Sequence, residues 1–211
     1  MHYPNFSWEK RLLSQGYQNI VGIDEVGRGA WAGPLVAVAA MIVTKKTPYS
    51  IAKLKVKDSK LLSEKNRERI FVELSQQVVW SAGVVSHLEI DKLGMTRANV
   101  LVIKRAIKKL AVKPDYLLLD KVSGFSHPKP FASIIKGDRK ILTIAVASIL
   151  AKVTRDRIMR RYHHQFPDYY FHRHKGYGTK LHQKCLAEHG VCRIHRQSFQ
   201  PISNLPNLCY N

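Results

Sequence analysis

The sequence predicts an α/β fold, with one central mixed β-sheet flanked by helices and a helical C-terminal portion. Three observations carry this. Apolar runs of strand length recur up to residue 135, at residues 20–26, 35–43, 78–85, 116–120 and 131–135. Helix-length segments with an apolar stripe lie between and after them. Beyond residue 135 the strand signals end and helical patterns take over, which suits helices packed around a sheet completed earlier in the chain.

Each element has a local reason. Residues 1–19 read as a polar lead-in with room for one helical turn. Residues 20–26 are β-branched and lead from Ile20 to Val26, and residues 35–43 follow a loop at Gly33 and Pro34. Residues 44–60 are basic and loop-like, ending in Lys57-Asp58-Ser59-Lys60. Ser63 is placed as a helix N-cap, but Asn66 stands where a capping box needs Glu or Gln. That helix is expected to reach residue 76. In residues 95–110, Val100, Ile103, Ile107 and Leu110 form one stripe, Lys104, Arg105, Lys108 and Lys109 lie outside it, and Pro114 closes the segment. Residues 144–162 predict a long helix, apolar first (Ala145, Ala147, Ile149, Leu150) and basic later. A loop over 166–179 leads to a helix over 180–189 that stops at Gly190.

The 211 residues, 45% hydrophobic, suit a single domain. Its core is expected over residues 1–160 and a helical, substrate-binding portion over 161–211. Lys and Arg number 35 against 15 acids, a formal net charge of +20. Solubility alone asks for a net charge of only about 2–8, so the excess points to a polyanion: nucleic acid or an anionic membrane surface. The longest apolar run, 35–43, is far short of the roughly 20 residues of a membrane span. The first residues, with Glu9, Lys10 and Arg11, do not resemble a secretory signal. Three cysteines, Cys185, Cys192 and Cys209, suit a reducing cytoplasm better than a disulfide framework.

The most informative stretch is Val21-Gly22-Ile23-Asp24-Glu25-Val26-Gly27-Arg28-Gly29. Two carboxylates at the end of a buried strand are costly to desolvate without a cation. Glycines on both sides of an arginine let a polyanion approach the backbone. Two further strand-like segments lead to acids, Asp120 and Asp138. Strand ends on one side of a sheet bring distant residues together. Four carboxylates suit Mg²⁺ or Mn²⁺ rather than Zn²⁺, and two such ions about 3.5–4 Å apart are the standard device for phosphodiester cleavage.

Adjacent strand residues point to opposite faces, so Asp24 and Glu25 are expected to meet one site only if the pleat breaks near Glu25. The alternative is a longer reach or a main-chain carbonyl from Glu25. Lys60, Lys152 and Arg155 are candidate phosphate contacts, and a basic helical face over Arg155, Arg157, Arg160 and Arg161, with His163 and His164 beyond, is a candidate duplex-binding surface. His182, Cys185, His189, Cys192 and His195 have spacings open to a zinc site, although Cys185 and His189 read equally as a buried helix face and a surface residue.

Taken together, these motifs resemble the ribonuclease HII family. The resemblance rests on residues 22–29 (GIDEVGRG) with Gly33-Pro34, Asp58-Ser59-Lys60, Asp120 and Lys136-Gly137-Asp138. It continues in Ala147-Ser148-Ile149-Leu150-Ala151-Lys152-Val153 with Arg155-Asp156, in Lys175-Gly176-Tyr177-Gly178-Thr179 with His182, and in His195-Arg196-Gln197-Ser198-Phe199. It covers nearly the whole chain in the family's order. It implies a ribonuclease H-like fold and an endonuclease for the RNA strand of RNA–DNA hybrids. Such an enzyme also incises 5′ of single ribonucleotides in duplex DNA, leaving 5′-phosphate and 3′-hydroxyl ends. Asp24, Glu25, Asp120 and Asp138 match the family's metal-binding acids, with Asp24 as the bridging ligand. Gly27, Arg28 and Gly29 match the turn that reads the ribose 2′-hydroxyl, and Tyr177 matches the tyrosine beside the neighbouring sugar. The implied cofactors are two Mg²⁺ or Mn²⁺ ions, and the expected state is a cytoplasmic monomer with no membrane partner.

The sibling family, ribonuclease HIII, usually adds an N-terminal domain and lacks the arginine of the turn. Here 23 residues precede Asp24, and Arg28 is present. Two departures stand out: Lys121 replaces a usual glycine after Asp120, and Val146 a usual alanine. A basic binder without catalysis is the competing class, but four converging acids would repel phosphate without a cation. A transposase or resolvase with a related acidic core is the third reading, and the two glycine-bearing turns speak against it.

Overall fold

The computed structural model describes residues 4–43, 51 and 62–205. Asp58, Ser59, Lys60 and Cys209 lie outside the described residues. The sheet is built from β1 (Ile20–Val26), β2 (Leu35–Ile42), β3 (Val78–Val85), β4 (Tyr116–Asp120) and β5 (Phe131–Ile134). Their order is β3-β2-β1-β4-β5. β1 pairs antiparallel with β2 and parallel with β4; β2 pairs antiparallel with β3, and β4 parallel with β5. The sheet is therefore mixed, and the α/β expectation holds.

Helices cover both faces. Val21, Ile23, Ala37 and Ala39 point to one face, against Ala98, Val102 and Ala106 of the helix Met95–Lys109. Val38, Ala40 and Ile42 point to the other, against the helices Glu64–Gln77 and Leu142–Gln165. Every residue of β2 is buried, as a strand packed on both faces must be. The α-helices with both ends among the described residues are, in chain order, α1 (Ser7–Ser14), α2 (Glu64–Gln77), α3 (His87–Leu93), α4 (Met95–Lys109), α5 (Leu142–Gln165), α6 (Phe171–His174) and α7 (Lys180–His189).

Some boundaries depart from the sequence reading. The lead-in holds α1, an eight-residue helix that buries Glu9 and Leu12. Glu9 Oε1 accepts from both the amide and the hydroxyl of Thr143, each at 2.9 Å. That bond satisfies a donor in the first turn of α5, and this anchorage is why α1 forms. α3 has no counterpart in the sequence reading, yet Ser86 and Glu89 form a complete capping box ahead of it. Ser63 caps α2 as expected, accepting from the Asn66 amide at 3.3 Å. α5 runs unbroken through residue 160, so the border between the two expected portions falls within a helix.

The residues after α5 form a third cluster. Tyr169, Phe171, Cys185, Leu186 and Ile194 pack on Met159 and Ala32. Isolated bridges join Ala30 to Tyr177 and Ala32 to His195. The glycine-bearing loop after β1 is thus built into the C-terminal helical part.

Candidate active site

The acids meet through strand register. Ile23 of β1 pairs with Leu119 of β4, so Asp24 and Asp120 follow side by side at the ends of two parallel strands. Asp138 arrives on a short 3-10 turn, Gly137–Arg139, entered through Lys136 in a left-handed conformation (φ 56°). The Gly137 amide donates to Asp120 Oδ1 at 2.9 Å, which ties that turn to β4. Asp24, Glu25, Asp120 and Asp138 line one cleft of about 530 Å³ together with residues 26–29, Ser148, Lys152 and Tyr177.

The pleat does not break at Glu25. Pairing with β2 continues through Glu25↔Ala37 and Val26↔Val36. Asp24 faces α5 and takes a hydrogen bond from Ser148. Glu25 faces α4, where the Asn99 amide donates to its Oε1 at 3.3 Å, and Arg28 Nη1 reaches the same oxygen at 3.4 Å. The two acids share the cleft because the strand ends there and both faces open into it. Among the described residues, no three histidine, cysteine or acidic side chains stand close enough to share one ion as they are. Each carboxylate is engaged locally: Asp24 Oδ1, for example, accepts from the Glu25 amide at 2.9 Å.

The electrostatics are those of crowded acids. Burial pushes the Asp24 carboxyl well above its usual range; Glu25, Asp120 and Asp138 push it further, while Ser148 opposes. Burial also raises Glu25, against the pull of Arg28. Desolvated like charges favour the protonated acid unless a cation arrives.

The family model described as Ribonuclease HII matches residues 21–202. The chain belongs to the ribonuclease HII family. A curated ribonuclease HII of Dehalococcoides mccartyi is 39% identical over 203 residues, covering 96% of this chain and 95% of its own. One of Syntrophotalea carbinolica is 41% identical over 196 residues, covering 92% and 91%. The solved ribonuclease H2 of Pyrococcus horikoshii OT3 superposes with a TM-score of 0.75 at 25% identity, covering 88% of this chain and 96% of that one. Membership makes the chain a ribonuclease.

Within this ribonuclease HII fold, one basic expectation is corrected. Arg155 is fully buried, not a surface phosphate contact. Its guanidinium donates to the carbonyls of Pro34, Lys175 and Ala32 at 2.8, 2.9 and 3.1 Å. Three carbonyls from two distant loops outcompete solvent for a planar five-donor group. Arg157 and Arg160, expected on a duplex-binding face, pair with Glu68 and Glu64 across the α2–α5 seam. Lys152 does line the cleft, with Nζ 2.7 Å from Asp156 Oδ1.

Lys121 is exposed, while Val146 is fully buried in the core. The sequence reading missed Ser148 and Asn99 as site residues. Each is a buried polar residue on an otherwise apolar helix face, and that mismatch is the signal that marks them. Among the described residues, no helix is long and apolar enough to cross a membrane.

Proposed function

We propose that this protein is an endonuclease that cleaves the RNA strand of RNA–DNA hybrids and incises 5′ of single ribonucleotides embedded in duplex DNA. It leaves 5′-phosphate and 3′-hydroxyl ends. The observation that carries the reading is the meeting of Asp24, Glu25, Asp120 and Asp138 with the turn at residues 27–29 and Tyr177 around one cleft.

The donor set fits hard divalent cations. Four carboxylates crowd one cleft, and Asp24 is held against its own ionisation by burial and by its neighbours, a conflict that a divalent ion removes. Asp24, Glu25, Asp120 and Asp138 would hold two Mg²⁺ or Mn²⁺ ions. Bound there, the ions would supply an activated water and offset charge on the departing 3′ oxygen. The protein's own part is to fix the four acids and to choose the bond.

That choice belongs to the turn. The Gly27 carbonyl accepts from the Ala30 amide, and the Arg28 carbonyl from Arg196 at 3.0 Å. The amides of Arg28 and Gly29 make no hydrogen bond among the described residues. A ribose 2′-hydroxyl can accept from such amides, which a deoxyribose at that position cannot do. The Tyr177 ring, held to this loop through the Ala30 bridge, tolerates a deoxyribose on the far side of the junction and crowds a second hydroxyl. Lys152 is the phosphate contact of the cleft wall in this reading. Residues from 161 onward, which carry Tyr177, serve as the substrate-binding portion of one catalytic domain. The protein works as a cytoplasmic monomer.

Asp24→Asn tests the reading. It should lower Mg²⁺- or Mn²⁺-dependent cleavage of a ribonucleotide-containing duplex by about a thousandfold while leaving duplex binding intact. Relief of the buried charge should also raise the metal-free melting midpoint, by about 2–4 °C for each kcal/mol relieved. Full activity in the variant, or loss of binding with unchanged chemistry on bound duplex, would refute the role given to the acids.

A further inference from the structure

Behind Tyr177 lies a chain of buried histidines that does not line the acid cleft. His182 is 0% exposed, His195 2% and His174 7%. One arrangement of protons satisfies all of their hydrogen bonds. The Cys192 amide donates to His195 Nδ1 at 2.9 Å, so His195 carries its proton on Nε2. That proton faces His182 Nε2 at 3.0 Å. His182 then carries its own proton on Nδ1, which donates to the Tyr177 carbonyl at 3.1 Å. The reverse arrangement would set a lone pair against the Tyr177 oxygen and strip the Cys192 amide of its acceptor. The Cys192 carbonyl, also near His195 Nδ1, already accepts from the His195 amide at 3.0 Å.

Such a relay needs neutral rings, since a doubly protonated imidazole only donates. Burial supplies them. It lowers His182 to about 3, helped by the neighbouring His174, and lowers His195 to about 4. The His174 ring stacks on His182 with centroids 4.3 Å apart.

The rest of the turn is fastened in the same way. The Gly176 amide donates to His174 Nδ1 at 3.1 Å and the Tyr177 amide to the His174 carbonyl at 2.9 Å. The Gly176 carbonyl accepts from the Trp31 amide at 2.8 Å. The Lys175 carbonyl accepts from Arg155. Trp31 lies so close to Gly178 that a Cβ there would fall 2.1 Å from its ring. The Tyr177 carbonyl accepts from the Thr179 amide at 2.8 Å, and among the described residues His182 is the one side chain that donates to it.

We infer that His182 and His195 are positioning residues for sugar discrimination: their relay fixes the Tyr177 carbonyl and so the angle at which the Tyr177 ring meets the sugar. The inference rests on the role given to Tyr177 above. Neither histidine touches substrate, so their loss should alter selectivity rather than abolish cleavage.

The test compares kcat/KM on a duplex with one embedded ribonucleotide against kcat/KM on a continuous RNA–DNA hybrid, for the full chain. His182→Leu, which removes the donor, should shift the ratio by about tenfold or more, since a misplacement of about 1 Å can cost a hundredfold. His182→Asn, whose amide can replace the Nδ1 donor, should stay near the wild-type ratio, and Tyr177→Ala should shift it as His182→Leu does. An unchanged ratio in His182→Leu beside a shifted ratio in Tyr177→Ala overturns the relay alone. An Asn variant as impaired as the Leu variant also overturns it. An unchanged ratio in Tyr177→Ala overturns the reading of Tyr177 and the relay with it. Should His182→Leu fail to fold, ¹⁵N NMR of wild-type histidines decides: protons on His182 Nδ1 and His195 Nε2 are expected, and the opposite pair overturns the relay.

Discussion

Gly27 and Gly29 flank one arginine but are glycines for different reasons. Gly27 has φ 100°, and a Cβ there would fall 2.3 Å from Arg155 Nε and 2.9 Å from the Pro34 carbonyl. At Gly29 an added Cβ would meet nothing within 4 Å, and its backbone is not left-handed. The first is demanded by the fold; the second leaves room for a ligand. Gly27→Ala should therefore cost about 1–3 kcal/mol in denaturant unfolding. Gly29→Ala should stay within about 0.5 kcal/mol of wild type and still lose about tenfold or more in cleavage rate on a ribonucleotide-containing duplex. A fully active Gly29→Ala would remove the turn from substrate reading. At this scale the acids are legible in the sequence because Asp24 with Glu25, and Asp120, stand at the ends of apolar runs and Asp138 follows one after a short Lys136-Gly137 step. Arg155 is not. In a run of helical cations it reads as solvated, and the carbonyls that bury it come from residues 32, 34 and 175.

The elements that carry the site depend on contacts of uneven visibility. The helix α3 is short, and its apolar pattern is too brief to stand out, yet Ser86 and Glu89 have the spacing of a capping box. Glu89 does more than cap: Arg105 of α4 grips it with two bonds, at 2.6 and 3.1 Å. Arg105, with help from Ser86, holds the Glu89 carboxyl down to about 2. A depressed acid adds stability that is complete above its ordinary value and lost as pH falls through the folded one. The stability difference between wild type and Glu89→Gln should thus be constant above pH 4.5 and vanish towards pH 2, as read from unfolding curves across that range. A difference that grows on acidification would contradict the assignment. The approach of α5 to β1 is legible in the sequence only as an unexplained glycine: a Cβ at Gly22 would fall 2.3 Å from the Thr143 backbone. That close packing puts Ser148 against Asp24.

Over the whole molecule, the net charge of +20 points to a polyanion on composition alone. The distribution of that charge is less legible, because ion pairs form between helices far apart in sequence. Arg157 and Arg160 are taken by Glu68 and Glu64, while acids that repel one another gather at the sheet's end beside a glycine turn and a tyrosine. The pleat of β1 is hard to read from sequence for a related reason. A strand that ends inside a cleft can offer both of its faces to it, so no break in the pleat is required. The central claim is that the acids cut and the turn beside them selects the ribose. It is tested most directly by incubating the full chain with Mg²⁺ or Mn²⁺ and a DNA duplex carrying one ribonucleotide, then mapping the ends produced. A single incision 5′ of the ribonucleotide, with a 3′-hydroxyl and a 5′-phosphate, is the predicted result; cleavage of ribose-free DNA, or no cleavage with either ion, would contradict it.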